Sequence, residues 1–491
     1  MNPIWNKLRG AVCVTALSIA ALPAFMATGA QASLIISSAA TAHVKCGSGV
    51  CIAMAKNAIL NVKQLRTLLA TSNVKVATGH ATTDIEVSSA LSWGSPKMLT
   101  LDALHSIIVD KPVTITGRGA LALVTNDGGS AGTLSFSNKA HIQFWKTTNS
   151  LRINGAAYKL VNNITELATN IANNNQGHYA LAYSYDASGD GIYLTPPVPT
   201  AFYGTFEGLG NTISNLSMNI QSNYSEAGLF IELDAVSGLT GAVLDIGLLD
   251  ANVNGMKQVG ALVGMNVGGT IRGAWATGFV SGGGVASSVG GLVGLNRGFI
   301  SNSHASVAVN GTNAWAVGGL VGYNESEIAG SYATGAVTGG YNSYAGGLVG
   351  ELAGGTILNS YATGKVTDSA TRYDVGGLVG FTTGNVGISQ AYSAGALSVT
   401  GANCANLACL GGMIGNDGSS GSFVSSYWDT TTSRVSNSSQ GCGNVSNCEG
   451  VAGLTTTQLQ SGRPSGFNPA VWGESANLNK GLPYLLANPP N

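Results

Sequence analysis

The chain has 491 residues, enough for two or three ordinary domains or for one elongated domain. Charged residues make up only 9% of it, glycines number 70, and the formal net charge is -1. This balance argues against electrostatic capture of nucleic acid, and a hydrophobic content of 44% argues against disorder of the whole chain.

Residues 1–32 have the pattern of a Sec-type signal peptide. Lys7 and Arg9 precede the apolar stretch AVCVTALSIAALPAFMA, and the small residues of AQA offer a cleavage site before Ser33. A membrane anchor is the alternative. No later stretch reaches the roughly 18 apolar residues that a membrane helix needs. We therefore expect an exported protein, secreted or held at the surface of a Gram-negative-like cell, without a membrane span once the signal is removed.

The chain beyond the signal divides into segments that differ in sequence pattern. Residues 33–72 contain a probable helix within IAMAKNAILNVKQLRTLLA and are interpreted as an N-terminal cap. Residues 73–200 hold short alternating strands, interrupted near 157–200 by a helical or loop insertion that includes ITELATNIANN. Regular repeats follow over 201–429, and 430–491 are interpreted as a C-terminal cap.

A repeat of about 30 residues dominates the middle of the chain. The motif reads GALVG from Gly260, GGLVG from Gly290, Gly318, Gly346 and Gly376, and GGMIG from Gly411, with a degenerate AGLF from Ala227. Measured at the Leu or Met position, the steps are 33, 30, 28, 28, 30 and 35 residues. A second block, SYATGAV in its clearest form, follows 12 to 14 residues later. Such periods indicate a solenoid, and each unit is too short for a four-stranded propeller blade.

These patterns predict an all-β fold, a right-handed parallel β-helix in which each unit forms about one coil. The coils would stack roughly 4.8 Å apart. The Leu and Val of each motif would point inward, with the flanking glycines allowing positive φ angles and close backbone approach. Asn266, Asn296 and Asn324 would align as a ladder of amides along the stack.

An aromatic series would align in the same way. Its members occupy one position of the second block: Trp275, His304, Tyr332, Tyr361, Tyr392 and Tyr427. If exposed, Trp275, Tyr332, Tyr361 and Tyr392 would form a possible ligand face that stacks on sugar rings. If buried, they would be a packing ladder inside the coil, which the even spacing favours.

Cysteine use agrees with export. Of the 7 cysteines, Cys13 lies in the predicted signal, and the others form close pairs: Cys46 with Cys51, Cys404 with Cys409, and Cys442 with Cys448. Local pairs in an exported chain predict small disulfide loops. A metal site would need two-residue spacings and histidine partners, which are absent.

The repeats resemble the GLUG motif, named for its Gly-Leu-any-Gly core and found in bacterial surface and secreted proteins, including adhesins and IgA-specific peptidases. Ser426 to Leu485 resembles the ending that follows such repeats, and residues 60–217 resemble the repetitive body of filamentous-haemagglutinin-like adhesins. The resemblance implies the architecture more strongly than any activity. The zinc-peptidase activity of some GLUG-bearing proteins does not carry over, because the chain has no HExxH motif.

Catalytic signals are weak. The candidate carboxylate pairs are Asp186 with Asp190, Glu325 with Glu327, and Asp245 with Asp250. The first pair could bind calcium, but Asp and Gly there also make an ordinary turn. We predict no catalytic site, no cofactor and no metal.

The favoured interpretation is an adhesin-like protein that binds a host or environmental glycan or protein through repeated weak contacts along a charge-poor face. A structural surface or matrix protein without a specific ligand is one alternative, and a polysaccharide lyase or hydrolase on the same scaffold is another. An outer-membrane export partner is a further possibility that the sequence leaves open.

Overall fold

A computed structural model describes residues 32–125, 127–129, 132–137, 140–222, 226–236, 238–282, 287–340, 343–369, 374–399, 410–443 and 448–490. Within these residues the fold is all-β, as predicted. The α-helices are short and are found at Val62–Thr71, Ile164–Asn173, Thr430–Ser433 and Thr456–Gln460, with 3-10 turns at Ala187–Asp190, Ser438–Gln440 and Asn479–Gly481. The predicted signal peptide, apart from its last residue, and the pair Cys404 and Cys409 lie outside the described residues.

The repeats stack as parallel strands, unit upon unit. Val293 pairs in parallel with Val321, and Val321 with Val349, so the register advances by one repeat at each step. The strands form four ladders that recur in every repeat. The first ladder contains Gln258–Val259, Ser288–Gly290, Ala316–Gly318, Tyr344–Gly346, Val375–Gly376 and Leu410–Gly411. The second contains Phe230–Leu233, Val263–Asn266, Val293–Asn296, Val321–Asn324, Val349–Leu352, Val379–Gly384 and Ile414–Ser419.

The other two ladders belong to one large sheet. The third contains Ala156–Val161, His178–Leu181, Thr205–Glu207, Ala242–Leu244, Thr270–Arg272, Phe299–Ser301, Glu327–Ala329 and Gly355–Leu358, and then the first halves of Val386–Ser393 and Ser422–Asp429. The fourth contains Tyr185–Asp186, Ile192–Tyr193, Thr212–Ser214, Ser217–Ile220, Gly247–Gly255, Trp275–Gly282, His304–Asn310, Tyr332–Ala333, Val337–Thr338, Tyr361–Ala362, Val366–Asp368, Leu397–Val399 and Val451–Leu454, together with the second halves of those two long strands.

Parallel strands also build the part of the chain that precedes the repeats. One sheet contains Ala58–Asn61, Ser33–Ser37, Asp84–Val87, Ile107–Val109 and Leu134–Phe136, and a second contains Leu91–Trp93, Val113–Ile115 and Ile142–Phe144. A third group contains Val44–Gly47, Val50–Ala53, Val74–Ala77, Met98–Asp102, Ala120–Val124 and Ser150–Ile153, and its first two strands pair antiparallel. Two-stranded hairpins are formed by Ala235–Val236 with Leu239–Thr240 and by Trp472–Gly473 with Tyr484–Leu485.

The repeated apolar residues point inward, as predicted. The Leu or Met of each motif is fully buried: Leu229, Leu262, Leu292, Leu320, Leu348, Leu378 and Met413. A second inward column comes from the third ladder: Ile271, Ile300, Ile328, Ile357 and Ile388. One coil cannot bury this inner face alone, so the stack supplies the burial.

The motif glycines are needed for close approach and not for positive φ, which corrects part of the expectation. Gly318, Gly319 and Gly322 have no positive φ. A Cβ atom would lie 2.0 Å from the Val321 carbonyl oxygen at Gly318, and 2.1 Å from that of Gly347 at Gly319. Any side chain there would push neighbouring coils apart.

The predicted helices begin where an asparagine can cap them. Asn61 accepts hydrogen bonds from the amides of Lys63 and Gln64, and the first helix starts at Val62. Residues 52–61 were expected to be helical, but they contain the end of strand Val50–Ala53, a turn and strand Ala58–Asn61, because alternate side chains of these strands are buried. The second helix, Ile164–Asn173, is confirmed, with Asn163 as its cap.

Residues 430–491 were interpreted as a C-terminal cap, and their last part, the C-terminal segment defined as residues 455–490, packs on the flank of the stack. Residues up to Leu454 continue the stack, since Val451–Leu454 pairs with Ser422–Asp429. The segment then turns back along the flank, so that Asn488 contacts His304, 184 positions earlier. Its apolar residues Leu459, Phe467, Trp472, Leu482 and Leu485 are buried against the side of the stack.

Two of the predicted disulfides are present, Cys46–Cys51 and Cys442–Cys448. Disulfides persist in oxidising compartments, so both fit a location outside the cytoplasm. In the described part of the chain, no helix combines the length and apolar character needed to cross a bilayer.

Candidate functional site

The predicted aromatic column exists as a continuous stack of rings. Ring centroids are 6.0 Å apart between Trp275 and His304, 4.6 Å between His304 and Tyr332, 4.8 Å between Tyr332 and Tyr361, and 5.0 Å between Tyr361 and Tyr392. Adjacent planes differ by 6° or less. Parallel pairing in register places each ring over the next.

The column lies outside the coils and beneath the C-terminal segment. Alternate residues of the same strands, such as Ala305, Ala333 and Ala362, enter the coil core. Tyr332, Tyr361 and Tyr392 instead form a separate cluster with Leu459, Phe467, Trp472, Leu482 and Leu485. The ligand-face interpretation is therefore wrong for the three tyrosines, whereas the packing interpretation is right about their burial and wrong about its place. The tyrosines are at most 1% exposed, so they offer no open ligand face, and they do not pack inside the coil.

Polar contacts fasten the segment to the column. Asn488 Oδ1 accepts a hydrogen bond from His304 Nδ1 (3.0 Å), and Asn488 Nδ2 donates to the Ser303 and Gly330 carbonyl oxygens. Burial lowers the pKa of His304 to about 4, so this imidazole is neutral at pH 7. Trp275 is only half-buried and is the one member of the proposed ligand face that keeps access to solvent.

The asparagine ladder is confirmed. Asn266 Nδ2 donates to Asn296 Oδ1 at 2.8 Å, and Asn296 Nδ2 donates to Asn324 Oδ1 at 2.7 Å. All three side chains are fully buried. The ladder holds coil turns in register, and Leu352 takes the next position.

The carboxylate pair Asp186 and Asp190 makes a turn. Asp186 caps Ala187–Asp190 and accepts hydrogen bonds from the Ser188 amide and from Asn215 Nδ2. Asp190 accepts hydrogen bonds from the hydroxyls of Tyr185 and Tyr193. These two hydroxyl donors satisfy the Asp190 carboxylate. Across the described residues, no group of His, Cys, Asp and Glu side chains could hold a metal ion.

The other two carboxylate pairs are separated by their partners. Asp250 is exposed, whereas Asp245 is buried and pairs with Arg272 at 3.0 Å. Glu325 pairs with Arg297 at 2.6 Å, and Glu327 lies on the third ladder.

A buried ion cluster, formed by Glu207, Asp245 and Arg272, was not foreseen. Glu207 is 2% exposed and accepts a hydrogen bond from the Leu209 amide at 2.9 Å. Burial and the neighbouring Asp245 charge raise the pKa of Glu207 well above its ordinary value of 4.5. One guanidinium faces two buried carboxylates, which favours the protonated form of Glu207.

A different surface carries open aromatic side chains. The aromatic–carboxylate patch is defined by Trp315, Tyr323, Tyr344, Glu351 and Phe381. Trp315 is 48% exposed, and its ring meets Tyr344 edge-on at 5.1 Å. Tyr344 stacks on Phe381 at 4.5 Å, and Trp315 Nε1 donates to Glu351 Oε2 at 2.9 Å. Tyr323, Glu351 and Phe381 are in register on the second ladder.

This arrangement combines apolar ring surface with fixed hydrogen-bond acceptors. Sugar rings have an apolar face and a rim of hydroxyl groups, so they suit an aromatic side chain next to a carboxylate. Burial raises the pKa of Glu351, against the lowering effect of the Trp315 hydrogen bond. Burial also raises the pKa of Tyr323, which bonds to Glu325.

Sequence reasoning missed this patch, although a signal was present. The residue directly after each motif changes from repeat to repeat: Met265, Leu295, Tyr323, Glu351 and Phe381. A position that varies within a regular repeat, and that points outward by strand alternation, is where a binding surface is built. The regular aromatic series, by contrast, is a packing feature, as its burial shows.

Comparison with known proteins supports the repeats. Residues 313–338 and 341–367 match the GLUG motif family. A stretch of 164 residues is 35% identical to halomucin from Haloquadratum walsbyi (strain DSM 16790 / HBSQ001), covering 31% of this chain and 2% of halomucin. The chain thus spans a small fraction of that relative. A crystal structure of a Bacteroides ovatus protein assigned as an immunoglobulin A1 protease aligns with 68% of this chain and 92% of its own, at 18% identity and a TM-score of 0.40.

Proposed function

We propose that this protein is an exported, surface-associated or secreted binding protein that engages glycans through the aromatic–carboxylate patch. The patch would sit on a right-handed parallel β-helix of the kind found in filamentous-haemagglutinin-like adhesins. The observation that carries the proposal is the half-exposed Trp315 ring fixed beside the Glu351 carboxylate. The two GLUG matches span Trp315, Tyr323, Tyr344 and Glu351, and the disulfides fit export.

The rigid scaffold favours this role. The indole is held by its hydrogen bond to Glu351. The backbone of Trp315 is held by the hydrogen bond from its amide to the Ser287 carbonyl oxygen at 2.9 Å. A preorganised ring loses little conformational entropy when a ligand binds. Low overall charge leaves stacking and hydrogen bonding as the main recognition forces.

The test is retention of the purified protein on immobilised neutral oligosaccharides and on matrix proteins. Trp315→Ala should weaken glycan retention by about tenfold or more, as expected for an aromatic side chain at the centre of a binding surface. Trp145→Ala is the matched control, because Trp145 is 63% exposed and lies outside the patch. If both variants are retained on the glycans like the unaltered protein, the patch is not the binding site. No glycan retention by the unaltered protein would reject the function and favour a structural surface role.

A further inference from the structure

The charges in the patch and directly beside it are unequally compensated. Glu325 is neutralised by Arg297, whose Nε and Nη2 atoms lie 2.6 and 3.3 Å from its carboxylate oxygens. Glu351 is 7% exposed, and in the described part of the chain no lysine, arginine or histidine forms an ion pair with it. Its hydrogen-bond donor is the neutral Trp315 indole.

An uncompensated carboxylate in a largely buried position is costly, because desolvation weakens its hydration and no cation replaces it. Burial accordingly raises the pKa of Glu351, and the nearby Glu325 charge acts in the same direction. A ligand that places a positive charge next to this carboxylate would supply the missing partner. A ligand that brings a negative charge would meet repulsion from Glu351.

We propose that the patch selects sugars that carry a protonated amino group and discriminates against acidic sugars. This inference rests on the proposed glycan-binding function and specifies its ligand class. The sugar ring would lie on the exposed indole of Trp315, with its ammonium group directed at Glu351. The Arg297–Glu325 pair would not favour an acidic sugar, because the Arg297 guanidinium is already engaged in two hydrogen bonds.

Hexamers of equal length provide the test: glucosamine, N-acetylglucosamine and galacturonic acid, compared by calorimetry at a pH where the amines are protonated. The glucosamine hexamer should bind about tenfold more tightly than the galacturonic acid hexamer, the size expected for one partly buried charge-assisted contact. The difference should shrink as salt is added, because salt screens the charges.

Glu351→Gln keeps an oxygen that can accept the indole hydrogen bond and removes only the charge. It should reduce the preference to within about threefold while neutral binding persists. Glu327→Gln is the matched control, since Glu327 is a half-buried acid on another face of a neighbouring coil. It should leave the preference unchanged.

The outcomes separate this inference from the function on which it rests. Equal binding of the three hexamers, lost in Trp315→Ala, would retain the glycan function and overturn the selectivity. A preference that survives in Glu351→Gln or is insensitive to salt would also overturn it. Equally tight binding of a lysine hexapeptide would reject the sugar as ligand. No binding of any hexamer would overturn both proposals.

Discussion

Tyr361 and Tyr392 occupy the same position in successive repeats, but their hydroxyl groups differ in hydrogen bonding. Both rings are fully buried in the same stack. The Tyr392 hydroxyl donates to the Pro483 carbonyl oxygen at 2.7 Å and accepts from Asn479 Nδ2 at 2.7 Å. Among the described residues, the Tyr361 hydroxyl meets no hydrogen-bond partner. Burying a polar group without a partner costs free energy, whereas a satisfied one stabilises the fold.

Removing each hydroxyl should therefore have opposite effects. Tyr361→Phe should raise the free energy of unfolding by about 1 kcal/mol, because an unsatisfied group is lost. Tyr392→Phe should lower it by about 1 kcal/mol and leave Asn479 without one acceptor. Urea unfolding of both variants measures the difference. Equal effects of the two substitutions would contradict the assignment of partners.

At the scale of elements, the C-terminal segment and the coils are held by separate cores. Trp472 is fully buried and lies 4.5 Å from Phe467, 5.9 Å from Tyr392 and 6.0 Å from Tyr361, measured between ring centroids. Its Nε1 donates to Asn359 Oδ1 at 3.1 Å. The coil core contains none of these rings, since its members are the inward residues of the ladders.

Trp472→Ala should consequently loosen the segment before it unfolds the coils. Loss of a buried tryptophan costs about 3–5 kcal/mol, which is large for a 36-residue segment with one small cluster. Limited proteolysis should cut the variant within 455–490 while the repeat coils stay intact. Trp315→Ala serves as control and should leave the segment resistant. A single cooperative transition, with segment and coils lost together, would refute this separation.

At the scale of the molecule, the buried ion cluster joins parts of the chain that are distant in sequence. Arg272 Nη1 donates to the Leu134 carbonyl oxygen at 2.8 Å, across 138 positions, while Arg272 Nη2 holds Asp245. Leu134 belongs to the sheets that precede the repeats, so the cluster fastens the earlier strands to the repeat coils. Two buried carboxylates, Glu207 and Asp245, lie near this one guanidinium, and the pKa of Glu207 is raised as a result of burial and of the Asp245 charge.

The raised pKa of Glu207 makes the stability of the protein depend on pH. The pKa of Glu207 is raised on folding, so its contribution is fully present below about pH 4.5 and is lost as the pH rises through the folded-state pKa. Glu207→Gln should show a shallower decline of the free energy of unfolding between pH 5 and 8. Glu449→Gln, at an exposed position, is the control. Parallel profiles for Glu207→Gln and the unaltered protein would contradict a raised pKa of Glu207 in the folded state.

The sequence by itself determined the repeat, the inward Leu, Val and Met of each motif, the asparagine ladder and the close pairing of Cys46 with Cys51 and Cys442 with Cys448. These features are local to a coil or to its direct neighbours, where a period of about 30 residues translates into register. The close backbone approach at the motif glycines was also predictable, because it is set by neighbouring repeats, whereas the predicted positive φ angles are absent there.

Only the tertiary structure decided what happens on the outside of the stack. Strand alternation makes Tyr332 and Tyr323 both point outward, but a segment from the end of the chain covers the first and leaves the second on an open face. The Glu207, Asp245 and Arg272 cluster likewise depends on Leu134 arriving from another sheet. Whether an outward side chain meets solvent or protein depends on chain segments far away in sequence, and local periodicity contains no information about them.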